Sequence, residues 1–263
     1  MSPAERLNYL QRLFGTTMGF LSFGLGGLFF AATIVPWVWL TNRSEPERAV
    51  ALRRWISRGF RAHVNMLRGL GVLSYHWHNA ERLNGAGIVI ANHPTLLDVV
   101  FLVGFIENAV CVVKAALFEN FFIGFVIRTA GYVSNDDPER MISRCATALQ
   151  AGATVVIFPE GTRSVPGQAP HLQRGAAYIA LAGGTALTPV RISCVPSSLT
   201  KAERWHEIPD RALRFDFTVG TDLQVSRHKD TPRALAGRSV NEEIKQLLFN
   251  TAEPESKHVS VDP

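Results

Sequence analysis

The sequence predicts an α/β protein: a mixed sheet flanked by helices, with a membrane-associated helical segment at its N-terminus. Three observations predict it. Short apolar runs alternate with helix-patterned stretches from residue 83 onward. A long run near the N-terminus, Gly15–Asn42, contains no charged residue. Two polar, chemistry-bearing stretches each begin directly after an apolar strand candidate, where open sheets place their ligands.

Residues 1–14 form a short amphiphilic lead. Gly15–Asn42 follows; a helix of about 26 residues reaches roughly 39 Å, more than the roughly 30 Å of bilayer hydrocarbon. Two geometries are open: a tilted span, or a re-entrant pair broken near Gly24–Gly27 or Pro36. Trp37 and Trp39 close the run as interface-seeking aromatics do. The run is too long for a cleaved signal peptide and no small-x-small site ends it. Between Arg43 and Arg82 lie eight arginines, no lysine and three acids. This asymmetry predicts a cytoplasmic flank at a bacterial inner membrane, by the positive-inside rule.

Within that flank 48–73 reads as an amphipathic helix. Ala49, Leu52, Ile56, Phe60, Val64 and Leu67 keep helical spacing, and Arg53, Arg54, Arg58, Arg61 and Arg68 fill much of the remainder. Such a helix either lies in the headgroup layer with its arginines on lipid phosphates or packs on the core with a wet basic face. Strand candidates then come at 87–91, 109–114, 131–134, 154–158, 187–192 and 213–219. Helices are expected at 138–152, opened by Asp137 and Pro138, and at 174–182, stopped by Gly183–Gly184. A last helix is expected at 232–251. The organisation is thus a membrane anchor with a basic amphipathic helix (1–82), a domain at 83–251 and a polar disordered tail (252–263).

Composition excludes several classes. The net charge of +5 comes with no zinc-finger spacing and no nucleic-acid-binding signature, so no nucleic-acid partner is expected. Cys111, Cys145 and Cys194 are far apart and odd in number, which fits buried small side chains in a reducing compartment. His76 and His78 share a face of any strand at 75–79, but no third ligand accompanies them, so no metal is expected. G-x-S-x-G, Walker and dinucleotide glycine motifs are absent.

The most informative stretch is IVIANHPTLLDVVFL, 88–102. An apolar strand ends at Asn92, His93 follows, and Pro94–Thr95 open a helix containing Asp98. An aspartate accepting from one ring nitrogen fixes the tautomer and leaves the other nitrogen to take a proton from a hydroxyl. Thr95-x-x-Asp98 equally fits a capping box, in which Asp98 only bonds an amide. Spacing alone leaves both readings open.

The NHPTLLD stretch resembles the N-H-x4-D motif of the glycerolipid acyltransferases, whose best-known members are the lysophosphatidate acyltransferases. FPEGTRS, 158–164, resembles the same family's second motif, about 65 residues further on. Lys114 before Leu117–Phe118, and Thr188–Val190 in a late strand, match in order, so the similarity covers roughly 83–200. The resemblance implies a glycerolipid-acyltransferase-like fold with His93 as general base and Asp98 as its partner. It implies that Asn92, Lys114, Glu160, Gly161, Thr162 and Arg163 bind substrate, with Glu160, Gly161 and Arg163 near the acceptor headgroup. Amides of 160–162 turned outward and the Arg163 fork would hold a phosphate or carboxylate.

The implied reaction moves a fatty acyl group from acyl-CoA or acyl-carrier protein to the hydroxyl of a lysolipid, first among them 1-acyl-glycerol-3-phosphate. An activated thioester requires no covalent enzyme intermediate and no cofactor beyond the co-substrate. Membrane lipids and a carrier protein are the expected partners. One departure bears on the acceptor. The family usually carries G-x-x-F-I-x-R between the main motifs, whereas Gly131–Asp137 here ends in Asn135, Asp136 and Asp137. Either that side of the pocket is acidic, which favours a lyso-aminolipid, or Asp137 caps the Pro138 helix. A lipid-binding module without turnover is the other alternative.

Overall fold

In the computed structural model, residues 3–120, 123–165, 168–199, 209–228 and 230–250 are described. The chain starts as helix α1 (Pro3–Phe29), passes through a π-helical turn (Phe30–Ile34) and continues as α2 (Val35–Thr41). The helix therefore does not break at Gly24–Gly27 or Pro36. Pro36 stands in the first turn of α2, where a missing N–H costs nothing, and the widened turn just before it absorbs the change. Residues Arg6–Thr41 are long and apolar enough to cross a membrane, and only 11% of their most apolar window is buried. Leu25, Leu28 and Phe29 face outward, while Gly15 and Gly19 lie against Val72 and Leu67 so closely that any side chain there would collide.

Helix α3 (Glu45–Gly69) opens on a capping box, Ser44 with Glu47. Its apolar stripe is spent on the protein, not on lipid: Leu52, Ile56, Val64 and Leu67 join the core against α4 (Asp98–Phe105). The headgroup-layer alternative for the stripe is thereby corrected, because the core already supplies the dry surface. Arg53, expected on the wet face, is buried, with Nε donating to the Ala49 carbonyl and burial lowering its pKa. Arg54, Arg58 and Arg68 stay exposed.

Strand β1 (Leu73–His78) belongs to the sheet, so the fold begins before the expected boundary at residue 82. His76 and His78 do share an exposed face, both near Asp216. Then come β2 (Ile88–Ala91), β3 (Ala109–Val113), the short helices α5 (Ala116–Glu119) and α6 (Gly124–Thr129), and β4 (Val133–Ser134). The remainder is α7 (Pro138–Gln150), β5 (Thr154–Ile157), α8 (Gly175–Gly183), β6 (Leu187–Val195), β7 (Leu213–Val219) and α9 (Arg233–Phe249). The expected tail, 252–263, lies outside the described residues.

The seven strands run in the order β1-β7-β6-β2-β5-β3-β4, parallel except for the β6–β7 pair. Strand β2 is buried on both faces, which is why it reads as an unbroken apolar run. Val89 and Ala91 face a core shared with α2, α3 and α4; Ile88 and Ile90 face one shared with α7, α8 and α9. Since β2, β5, β3 and β4 are parallel, the residues following them, His93, Phe158–Arg163, Lys114 and Asn135–Asp137, all emerge at one carboxyl edge.

Candidate active site

The edge is built by two turns that hold each other. After β2, the side chain of Asn92 exchanges two hydrogen bonds with the backbone of Ile192, Nδ2 to the carbonyl at 2.8 Å and the Ile192 amide to Oδ1 at 2.7 Å. The Asn92 side-chain amide thereby extends the β2–β6 ladder past Ala91. After β5, Glu160 Oε1 accepts from the His93 amide and from Ser164 Oγ, both at 2.9 Å. The Ser164 amide donates to the His93 carbonyl at 2.7 Å. Glu160 thus ties the two motifs together rather than standing clear for a headgroup.

Asp98 sits fully buried at the start of α4. Its Oδ2 accepts from His93 Nδ1 at 2.9 Å and from the Thr95 amide at 2.7 Å, and Oδ1 accepts from the Thr95 hydroxyl at 2.7 Å. One carboxylate thus bonds both the imidazole and the Thr95 amide. No capping box forms, because α4 starts at Asp98 with Leu97 as its N-cap and the Thr95 hydroxyl accepts from the Leu97 amide. Burial raises the Asp98 pKa, and the bonds from His93 and Thr95 oppose that rise. His93 itself, 18% exposed, stacks on Phe158 with ring centroids 4.3 Å apart. With Nδ1 turned to Asp98, Nε2 is the ring nitrogen left for a substrate proton.

The second turn is tighter than expected. Gly161 takes a left-handed φ of 64°, and its amide donates to the Phe158 carbonyl at 3.0 Å, so it points inward rather than at a ligand. Thr162 and Arg163 are half-buried beside it. Arg163 Nη1 donates to the Leu199 carbonyl at 2.8 Å, the same oxygen that receives the Leu96 amide. Leu199 was not legible as a site residue, because only the fold carries the stretch after β6 back onto the catalytic turn.

Lys114 is exposed at the end of β3, and the Asn135 side chain accepts from the neighbouring Ala115 amide at 3.2 Å. Asp136 Oδ1 accepts from the Asp137 amide. Asp137 is the N-cap of α7, bonding the amides of Glu139 and Arg140 through Oδ1 and Arg140 Nε through Oδ2. The cap alternative holds for Asp137, and those bonds lower its pKa.

Between α1, α3 and the start of α4, walled in part by Leu96, Leu97 and Val100 of the stretch that follows His93, lies an apolar cavity of about 170 Å³. Phe20, Phe23, Leu67, Leu96, Val100 and Leu199 are among its walls. Cys111 and Cys145 are buried thiols with pKa pushed up to about 12, so neither is a nucleophile. Among the described residues no three metal-ligating side chains come together.

Residues 74–193 match the family model described as Acyltransferase, and both motifs lie within that match. The similarity extends to particular proteins. A chloroplastic 1-acyl-sn-glycerol-3-phosphate acyltransferase of Arabidopsis thaliana is 30% identical over 110 residues, covering 40% of this chain and 31% of that protein. The 1-acyl-sn-glycerol-3-phosphate acyltransferase of Helicobacter pylori is 30% identical over 90 residues, 32% of this chain and 38% of its own. The chain spans about a third of the length of these relatives. The crystal structure of the 1-acyl-sn-glycerophosphate acyltransferase PlsC from Thermotoga maritima shares the fold, with a TM-score of 0.64 and 19% identity. That likeness covers 93% of this chain and 99% of PlsC.

Proposed function

We propose that the protein transfers a fatty acyl group from a thioester donor to the free hydroxyl of a lysolipid, with 1-acyl-glycerol-3-phosphate as acceptor. The observation that carries the reading is the His93–Asp98 pair, 2.9 Å apart, at the sheet edge. His93 Nε2 takes the hydroxyl proton as the oxygen attacks the thioester carbonyl. The C–S bond breaks, and the proton passes from the imidazolium to the departing thiolate. Buried Asp98 stabilises the transient imidazolium; a positioned base is worth roughly 10²–10⁴ in rate. The apolar cavity lined by Leu96, Leu97 and Val100 receives an acyl chain. No cofactor enters the reaction.

Lys114 and Arg163, at the same edge, hold the acceptor's anionic headgroup. The names of the relatives support lysophosphatidate, and Asp137, spent on α7, does not oppose it. The exposed apolar α1 supports membrane anchoring, and the arginines of α3 support a cytoplasmic face. The test uses full-length protein in vesicles with acyl-CoA or acyl-carrier protein and lysophosphatidate. Thiol release coupled to a diacyl product is expected, with a loss of at least about a hundredfold in His93→Ala. A folded wild-type protein that releases no thiol, or a His93→Ala variant that retains activity, refutes the reading.

A further inference from the structure

A second cavity, of about 510 Å³, opens where 170–174 meets α9, on the sheet face opposite α1, α3 and α4. It is lined by Arg174, Arg238 and Lys245, with His171, Asn241 and Glu242. Arg238, Asn241, Glu242 and Lys245 fall at helical spacing, so one face of α9 presents them together. Four arginines elsewhere stand against carboxylates: Arg140 with Asp137, Arg214 with Asp216, Arg227 with Glu243 and Arg233 with Glu139. Among the described residues Arg174, Arg238 and Lys245 make no ion pair, and Glu242 is the one carboxylate set against these three cations. Asn241 Oδ1 is buried there without a hydrogen-bond partner. Arg174 also occupies the N-cap of α8, whose first turn holds no acid, so a cation sits where the helix dipole disfavours it. An anion in the cavity offsets the surplus of positive charge and the unfavourable place of Arg174, though it offers no donor to Asn241 Oδ1.

The cavity is coupled to the catalytic edge. The Gln173 amide donates to the Pro159 carbonyl at 2.7 Å, within the turn whose Glu160 holds His93. The apolar cavity and the outward-facing α1 lie on the other side of the sheet. A lysolipid comes from the side of α1; a thioester donor arrives from water and carries phosphate on its pantetheine arm. We infer that this basic cavity binds the phosphate ester of the acyl donor, in coenzyme A or on a carrier protein, while the thioester reaches His93. Arginine forks match phosphate oxygens in pairs. This rests on the acyl-transfer reading above.

The experiment compares full-length wild type with Arg238→Gln, Lys245→Gln and the triple Arg174→Gln/Arg238→Gln/Lys245→Gln, with Arg54→Gln on the exposed face of α3 as control. Steady-state kinetics are measured separately against donor and lysolipid, and coenzyme A binding is measured by calorimetry on unreacted protein. A rise of about tenfold or more in KM for the donor is expected in the triple variant, with kcat and acceptor KM unchanged. Coenzyme A binding should weaken in parallel, and the single variants, folded by circular dichroism, should show smaller shifts of the same sign. A rise confined to the acceptor KM assigns the cavity to a lipid phosphate and overturns the inference. Unchanged donor KM and unchanged coenzyme A binding overturn it as well. If wild type turns over no thioester, the proposed function fails, and coenzyme A binding alone still decides the cavity.

Discussion

Replacing Asp98 by asparagine separates the two things its carboxylate does. Oδ2 accepts from both His93 Nδ1 and the Thr95 amide, whereas Oδ1 meets only the Thr95 hydroxyl. An asparagine keeps two of three contacts by placing its carbonyl at the Oδ2 position. Its NH2 then faces the Thr95 hydroxyl, whose second lone pair accepts it alongside the Leu97 amide. The imidazole keeps its tautomer, and what is lost is the charge opposite the imidazolium. A hydrogen bond to a charged group is worth about 1.5–3 kcal/mol, so turnover should fall by roughly ten- to a hundredfold. The opposite amide orientation would present NH2 to His93, force the wrong tautomer and cost about 10⁴.

Stability moves the other way. Burial raises the Asp98 pKa, so the protein gains from a protonated Asp98 below the ordinary value of 3.8 and loses that gain as pH rises through the raised value. At neutral pH Asp98→Asn should therefore melt no lower than wild type, and the difference should shift toward wild type as the solution is acidified. Single-turnover thiol release and melting curves across pH measure both. A loss equal to that of His93→Ala, or a variant much less stable at neutral pH, refutes the bond assignment.

Gly161→Ala should cost roughly 1–2 kcal/mol, because an added Cβ meets Gln173 at an ordinary 3.7 Å and only the left-handed φ of 64° is strained; a urea melt checks it. Asp137→Ala should lower stability without changing preference between lysophosphatidate and a lyso-aminolipid in a competition assay. The cap contribution itself should be present above pH 3.8 and fade as pH falls through the lowered Asp137 pKa. Leu25→Glu with Phe29→Glu should move full-length protein toward the soluble fraction without unfolding it, since both side chains face outward. By contrast, deletion of 1–42 should destabilise the fold, because Val35 and Val38 are each 1% exposed.

Much of this protein was decided locally. The apolar runs of β2, β3 and β5, the Asp137–Pro138 start of α7, and the placement of His93 and Glu160 after strands follow from periodicity and capping, which act within a few residues. The bond from Asp98 to a nearby amide and its bond to His93 were both legible; that one carboxylate makes both, without a capping box, depended on how the β2 turn enters α4. Other features needed long-range contacts. Asn92 serves Ile192, Glu160 serves His93, and Arg163 meets Leu199, pairings of groups distant in sequence that only the sheet brings together. The insertion of β7 between β1 and β6, antiparallel to β6, leaves no periodic mark. Likewise, an amphipathic pattern tells α3 to hide one stripe but not where; the core, rather than lipid, took it because α4 and the sheet offered a complementary dry face.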